Sequence, residues 1–165
     1  FREKVIDVSA FLIKLGNLQP IVDSGNQTKI AYHDACHLAN AQGIRSQPRE
    51  LLRMIPGVEI CEIAEGHLCC GSAGTYNIDQ PEIAGSLGQQ KARNVIATGA
   101  KVVATGNIGC MTQLVKHLSA QNLSAQNLSA QNLSAQNLSV QNLSVQNSSV
   151  QVRHTMQVVR DAYNK

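Results

Sequence analysis

Short β-favourable runs alternating with helical segments predict an α/β fold, a parallel sheet of three to four strands flanked by helices. Three observations carry that expectation. Residues 29–33 (KIAYH), 58–63 (VEICEI) and 101–105 (KVVAT) are compact strand-like runs set off by Gly, Pro, Asn or Asp. A helical pattern follows each run, as parallel strands require. Each run also leads into a cysteine-bearing stretch: Cys36 after the first, Cys69 and Cys70 after the second, Cys110 after the third. In an open parallel sheet the functional loops lie at the strand carboxyl ends. These cysteine loops are therefore expected to meet at one edge although they are far apart in sequence.

The elements follow in order. Residues 5–15 (VIDVSAFLIKL) set Val5, Val8 and Leu12, with Ile6, Ser9 and Ile13, at helical spacing, and Gly16 supplies a stop. The turn cluster Asp23-Ser24-Gly25-Asn26 precedes the first strand, and Cys36 lies just beyond that strand's end. Residues 48–55 (PRELLRMI) predict a helix with Pro48 in its first turn and Leu51, Leu52 and Ile55 on one side, ended by Pro56-Gly57. After the second strand, residues 66–74 form a Gly-rich loop. Residues 81–97 predict a helix burying Ile83, Leu87, Ala92 and Ile96, with Gly99 closing it. Beyond the third strand, 106–109 is a turn and 110–118 a short helix. Residues 152–163 (VRHTMQVVRDAY) align Met156, Val159 and Tyr163 and predict a closing helix.

From Leu118 the character changes. LSAQN occurs four times in succession, LSVQN twice, and a decayed copy, SSVQV, ends at Val152. Leucine every five residues advances by about 140° around a helix, so no apolar stripe forms, and an odd period switches faces in a strand. A mobile or loosely helical insertion is expected. The Asn-Leu-Ser core also resembles pentapeptide-repeat proteins that wind into a right-handed β-helix, but Gln replaces their small inward residue two places before Leu. Near-identity of the copies points to recent tandem duplication. The expected organisation is a cysteine-bearing domain over 1–118, a low-complexity insertion over 118–152 and the domain's last helix over 153–165.

A chain of 165 residues suits one domain. It begins with Phe1, and its first segment already patterns as folded chain, so it is expected to be the C-terminal fragment of a longer product. Its 14 basic and 11 acidic residues are scattered, leaving no polybasic stripe for a phosphate backbone. Nucleic acid is not an expected partner. Aromatic content is 3% and Trp is absent, so the core must be aliphatic. No apolar stretch approaches the roughly 18 residues of a membrane helix, and no secretory pattern opens the chain. Five cysteines, an odd number, cannot pair fully and suit a reducing compartment where thiols serve metals or redox chemistry. The expected location is cytoplasmic.

Adjacent α-carbons lie about 3.8 Å apart, below the roughly 4.4 Å lower limit of ordinary disulfide geometry. Cys69 and Cys70 are therefore poor partners for each other, and good neighbours for a metal centre. Thiolate selects iron-sulfur clusters, zinc or Cu(I) over hard cations. Gly71 and Gly74 permit positive φ and close approach of backbone N–H groups to the sulfurs. His33 and His37 flank Cys36, and His67 precedes the pair. Loop histidines are more often structural or solvated than ligands, and these three are read so. Cys61, inside the second strand, reads as a small buried hydrophobe. Asp34, Glu62, Glu65 and Asp79 make no paired-carboxylate pattern, and no phosphate loop or flavin fingerprint is present. Any catalytic chemistry is expected elsewhere.

At these residues the chain resembles a known family. YHDACHLAN around Cys36, HLCCGSAGTYN around Cys69 and Cys70, and TGNIGCMTQL around Cys110 look like the cysteine-rich CCG domain found in heterodisulfide reductase and in the glycolate oxidase iron-sulfur subunit. The resemblance covers residues 5–118 and returns at 152–163, where VRHTMQVVRDAY, with YHDACHL and GNIGCMTQL, points to the glycolate oxidase branch. It implies an iron-sulfur cluster, of 4Fe–4S type, held by Cys36, Cys69, Cys70 and Cys110. It also implies electron transfer from flavin-containing subunits that oxidise glycolate to glyoxylate, with two ferredoxin-like clusters upstream. Association with such a complex would place the domain in the cytoplasm or at the inner face of the membrane.

The chain departs from the family at one place. The family motif ends in Cys-x-x-Cys, whereas Asn107 stands at the first of those positions and only Cys110 remains. Four thiolates still suffice for a 4Fe–4S cluster or for zinc. A five-cysteine cluster of the reductase kind is put in doubt. Asn107 could supply an amide oxygen, but a cap on the following helix is the expected role. Two rival functions stay open: a structural zinc-binding interaction domain, and a heterodisulfide reductase-like thiol/disulfide subunit with Cys69 or Cys70 as nucleophile.

Overall fold

The computed structural model describes residues 5–23, 25–132 and 150–164. Four strands, β1 (Thr28–His33), β2 (Val58–Glu62), β3 (Val102–Thr105) and β4 (Gln151–His154), form one sheet in the order β2-β1-β3-β4 with every pairing parallel. The α/β expectation holds. β1 and β3 are central, and their buried runs Ile30, Ala31, Tyr32, His33 and Val103, Ala104, Thr105 show the continuous burial of strands covered on both faces. Strand order reverses direction between β1 and β3, which makes their carboxyl ends the topological switch point. His33 and Thr105, in register with each other, close the two strands there.

Alternate strand residues face two aliphatic cores. On one side Ile30, Tyr32 and Ala104 pack with Leu51 and Leu52 of α2 (Ser46–Arg53) and Val159 of α6 (Thr155–Tyr163), joined by half-buried residues of α1 (Val8–Leu15). On the other, Ala31 and Val103 pack with Ala92 and Val95 of α4 (Pro81–Ala97) and Leu114 and Leu118 of α5 (Ile108–Asn132). A four-residue α3 (Tyr76–Asp79) and a π-helical turn, His37–Ala41, complete the set, and neither was expected from sequence. Among the described residues, no helix is long and apolar enough to cross a membrane.

Four sequence expectations need correction. α1 starts at Val8 rather than Val5, because the Asp7 side chain accepts from the Ser9 backbone N–H at 2.8 Å and caps the helix there. α4 has the expected bounds but turns a different face inward: Ala84, Gly88, Lys91, Ala92 and Val95 are buried, while Ile83 and Ile96 are exposed. Small residues win because they allow close approach; a β-carbon on Gly88 would lie 2.2 Å from the His117 ring. Residues 152–154 belong to β4, not to the closing helix, since β3 offers them a parallel partner. Finally, α5 is not the short helix expected over 110–118: it starts at Ile108 and continues through the first three repeat copies to Asn132, where a loosely helical insertion was one of the expected states. Ala, Leu and Gln are good helix formers, and Gln121 Nε2 ties the first copy to the Gln89 carbonyl of α4 at 3.0 Å. Residues 133–149 of the repeat lie outside the described residues.

Candidate metal centre

Each candidate cysteine is positioned by a distinct local device. Cys36 precedes the π-helical turn, three residues past the end of β1, and is half-buried. Such turns are uncommon and often accompany functional sites. Cys69 and Cys70 lie in the loop after β2, which turns at Gly71 with φ +87°. A β-carbon at Gly71 would come within 2.4 Å of the Ala84 carbonyl oxygen, so only glycine lets the loop sit against α4. The Gly71 N–H donates to Cys69 Sγ at 3.3 Å. Cys110 opens α5, where its N–H donates to Asn107 Oδ1 at 3.0 Å. Asn107 is therefore a helix cap, as expected.

The thiols form two pairs that share the adjacent cysteines. Cys36 faces Cys69; its thiol pKa is pushed up first by burial and then by the charges of Cys69 and Cys70. Cys70 faces Cys110. The Cys110 S–H donates to Cys70, which favours the Cys70 thiolate, and His33 and the Ser72 N–H favour it further. The same bond holds Cys110 protonated, with burial acting in the same direction. A His33 ring nitrogen and the sulfurs of Cys70 and Cys110 all lie within 4.8 Å of one another, and all three residues are buried. His33 was read from sequence as structural; its nearness to two sulfurs has no signature in the spacing of residues 33, 70 and 110.

Lys91 is a second residue that sequence reasoning missed. It is 1% exposed, and its ammonium donates to the carbonyl of Glu65 at 2.8 Å and, more weakly, to that of Gly66 at 3.5 Å, behind the Cys69–Cys70 loop. Burial lowers its pKa, opposed by the charges of Cys70, Glu65 and Cys69. The available signal was the small-residue stripe Ala84, Gly88, Ala92, which turns Lys91 inward. The remaining candidates are not part of the His33–Cys70–Cys110 group. Cys61 is half-buried on β2 opposite Ala31, less enclosed than expected, and His37 and His67 are exposed.

A chain with this cysteine order matches the CCG family, described as a cysteine-rich domain, over residues 30–115. It belongs to that family. The CCG domain here is 36% identical over 114 residues to the "Probable glycolate oxidase iron-sulfur subunit" of Bacillus subtilis (strain 168), covering 69% of this chain and 26% of the relative. It is 38% identical over 101 residues to a fumarate reductase (CoM/CoB) subunit of Methanothermobacter marburgensis, covering 61% of this chain and 20% of the relative. It is also 28% identical over 113 residues to "Lactate utilization protein A" of Oceanobacillus iheyensis, covering 67% and 45%. The chain thus spans between a fifth and just under half of the length of these relatives. No solved structure matches.

The donor set of this CCG domain fits a soft metal centre. All five cysteines are free, and four of them, from three separate stretches of chain, interact with one another. Thiolate ligands need deprotonation and nearby positive charge, which a metal ion or cluster would supply and which Lys91 supplements. Cys36, Cys69, Cys70 and Cys110 are the thiols that could hold an iron-sulfur cluster; of these, Cys70 and Cys110 lie within 4.8 Å of each other and of His33, and the Gly71 N–H is hydrogen-bonded to the Cys69 sulfur.

Proposed function

We propose that this CCG domain holds an iron-sulfur cluster through Cys36, Cys69, Cys70 and Cys110 and carries electrons within a larger oxidoreductase complex. One observation supports this above others: the adjacent Cys69 and Cys70 face different partners, Cys36 and Cys110, so thiols from three stretches of chain interact with one another. The four thiolates suit a 4Fe–4S cluster. The relatives' names supply the redox context: an iron-sulfur subunit, a fumarate reductase subunit and a lactate utilization protein. By that analogy the electrons come from flavin-containing subunits oxidising glycolate to glyoxylate, or a related 2-hydroxy acid, in the cytoplasm or at the inner face of the membrane. The pentapeptide repeat is then an insertion that leads into the last strand, its final residues Gln151 and Val152 opening β4, with residues 153–165 completing the domain beyond it.

When bound, an iron-sulfur cluster supplies reversible one-electron transfer. The chain's own part is to bind and tune. Cys36, Cys69, Cys70 and Cys110 provide soft anionic ligands. Gly71 donates an N–H to sulfur, Lys91 offsets negative charge, and the aliphatic packing around Ala35, Leu38 and Ile44 limits water. Anaerobic purification of the chain, followed by iron and acid-labile sulfide analysis and dithionite titration, tests the reading. Iron and sulfide in comparable amounts with bleachable visible absorbance are expected. Zinc without redox activity would replace this reading with a structural zinc domain that mediates subunit contacts.

A further inference from the structure

We propose that the imidazole of His33 is a direct ligand of the same centre, making it a mixed thiolate–imidazole site. The proposal rests on the reading that the cysteines hold an iron-sulfur cluster, and it changes what that cluster is.

Placement is the first argument. His33 is the last residue of β1, in register with Thr105 of β3, so its backbone is held by the central pair of the sheet. The residue is 2% exposed, and one ring nitrogen lies within 4.8 Å of the sulfurs of both Cys70 and Cys110. No side-chain rearrangement across the fold is needed to bring the three donors to one metal ion.

Hydrogen bonding is the second. A core histidine serving only structure satisfies its polar atoms, because leaving a buried donor or acceptor unpaired forfeits its hydration without return. The described residues give His33 Nδ1 no such partner. Thr105 Oγ1, in register on the next strand, is likewise buried and unpartnered.

Third, the other nearby donor is already engaged. Asn107, at the position where the family pattern has another cysteine, spends its amide oxygen on the N–H of Cys110 at 3.0 Å. Of the non-cysteine side chains at this end of the sheet, His33 is the soft-metal donor directed at the sulfurs. Neutral imidazole in place of a thiolate makes a cluster less negative and raises its reduction potential, as it does in two-histidine iron-sulfur centres.

The test uses the full chain labelled with 15N-histidine, loaded anaerobically with iron and sulfide and reduced to a paramagnetic state. Pulsed EPR is expected to show a strongly coupled nitrogen whose frequencies shift with the isotope and vanish in His33→Ala. His33→Cys restores a thiolate, so it is expected to retain iron, to lack the nitrogen coupling and to show a lower midpoint potential. An iron- and sulfide-loaded wild-type chain with no histidine-nitrogen coupling overturns the proposal without touching the cysteine reading. A coupling that survives in His33→Cys assigns another histidine and also overturns it. Failure of the wild-type chain to bind iron and sulfide overturns both readings together.

Discussion

Arg49 grips Asp34 with both terminal nitrogens, Nη1 to Oδ1 at 2.8 Å and Nη2 to Oδ2 at 2.7 Å. The same guanidinium reaches the Glu62 carboxylate through Nε and Nη2 at 2.8 and 2.7 Å and lies 4.5 Å from the centroid of the Tyr32 ring. From α2 it thus ties the residue after β1, two before Cys36, to the last residue of β2. Arg49 and Asp34 are largely buried, whereas Glu62 is 60% exposed. Removing one partner of a buried pair strands the other, so Arg49→Met is expected to cost about 3 kcal/mol of unfolding free energy. Arg49→Lys keeps the charge but not the fork and is expected to recover only part of that loss. Urea unfolding of the two variants checks the order.

Glu62 gives the same clamp a pH dependence. Its hydrogen bond from Arg49 lowers its pKa against the opposing effect of burial. A carboxylate with a depressed folded-state pKa contributes stability above the unfolded value of about 4.3, and that contribution is lost as pH falls from there through the folded pKa. Glu62→Gln should therefore unfold with a flatter acid limb than the wild type. Because the carboxylate is exposed, the difference at neutral pH is expected to stay below about 1 kcal/mol. Parallel acid limbs for the two proteins would show that Arg49 acts through Asp34 alone.

Gly71 and Gly74 both have positive φ, at +87° and +54°, yet they differ in surroundings. A β-carbon at Gly71 meets the Ala84 carbonyl oxygen at 2.4 Å, while one at Gly74 meets nothing within 4 Å. Gly74→Ala is expected to cost about 1 kcal/mol, the backbone contribution alone. Gly71→Ala should cost more, about 2–3 kcal/mol, and should displace Cys69 and Cys70 from their partners. Thermal unfolding measures the first difference. Metal content measures the second, and only Gly71→Ala should lose it.

Gly88 packs α4 against α5. Gly→Ala inside a helix ordinarily gains about 0.5–1 kcal/mol, but the added carbon here would sit 2.2 Å from Cδ2 of His117, which is buried and bonded to Gln113 at 3.1 Å. Gly88→Ala should destabilise by about 1–3 kcal/mol, the usual cost of overpacking. In a His117→Ala background the same change should become neutral or stabilising. A double-mutant cycle with no coupling would mean that the helices simply move apart.

These relationships mark where sequence sufficed. The sheet, the order of the cysteine loops and the cap at Asn107 were legible because each follows from local chemistry: β-favourable runs, adjacent thiols, an Asx residue before a helix. β4 was not, because Val152 to His154 is held by pairing with β3 and passes straight into α6 without a turn residue to mark the boundary. The buried face of α4 was misread for a related reason. Apolar periodicity favoured Ile83 and Ile96, whereas the fold selected the small residues that let Ala84 approach Gly71 and Gly88 approach His117. Lys91 reaches the centre through that packing and His33 through the pairing of β1 with β3, and neither is visible in residue spacing.

Lys91 offers the most direct electrostatic probe of the centre. Its buried ammonium stands behind the Cys69–Cys70 loop, bonded to the Glu65 and Gly66 carbonyls, and interacts with the charges of both cysteines. A nearby cation stabilises the more negative, reduced state, so it raises the potential of a thiolate-held cluster. Lys91→Met removes the charge with little change in length. The midpoint potential is expected to fall by roughly 40 mV, equivalent to about 1 kcal/mol for one electron. Because the mutation also strips two carbonyls of their donor, stability should drop by about 1–3 kcal/mol as well. Redox titration separates the two effects: lost stability with retained metal and an unchanged potential would reduce Lys91 to a strut beneath the loop, whereas a lowered potential identifies it as part of the centre's charge balance.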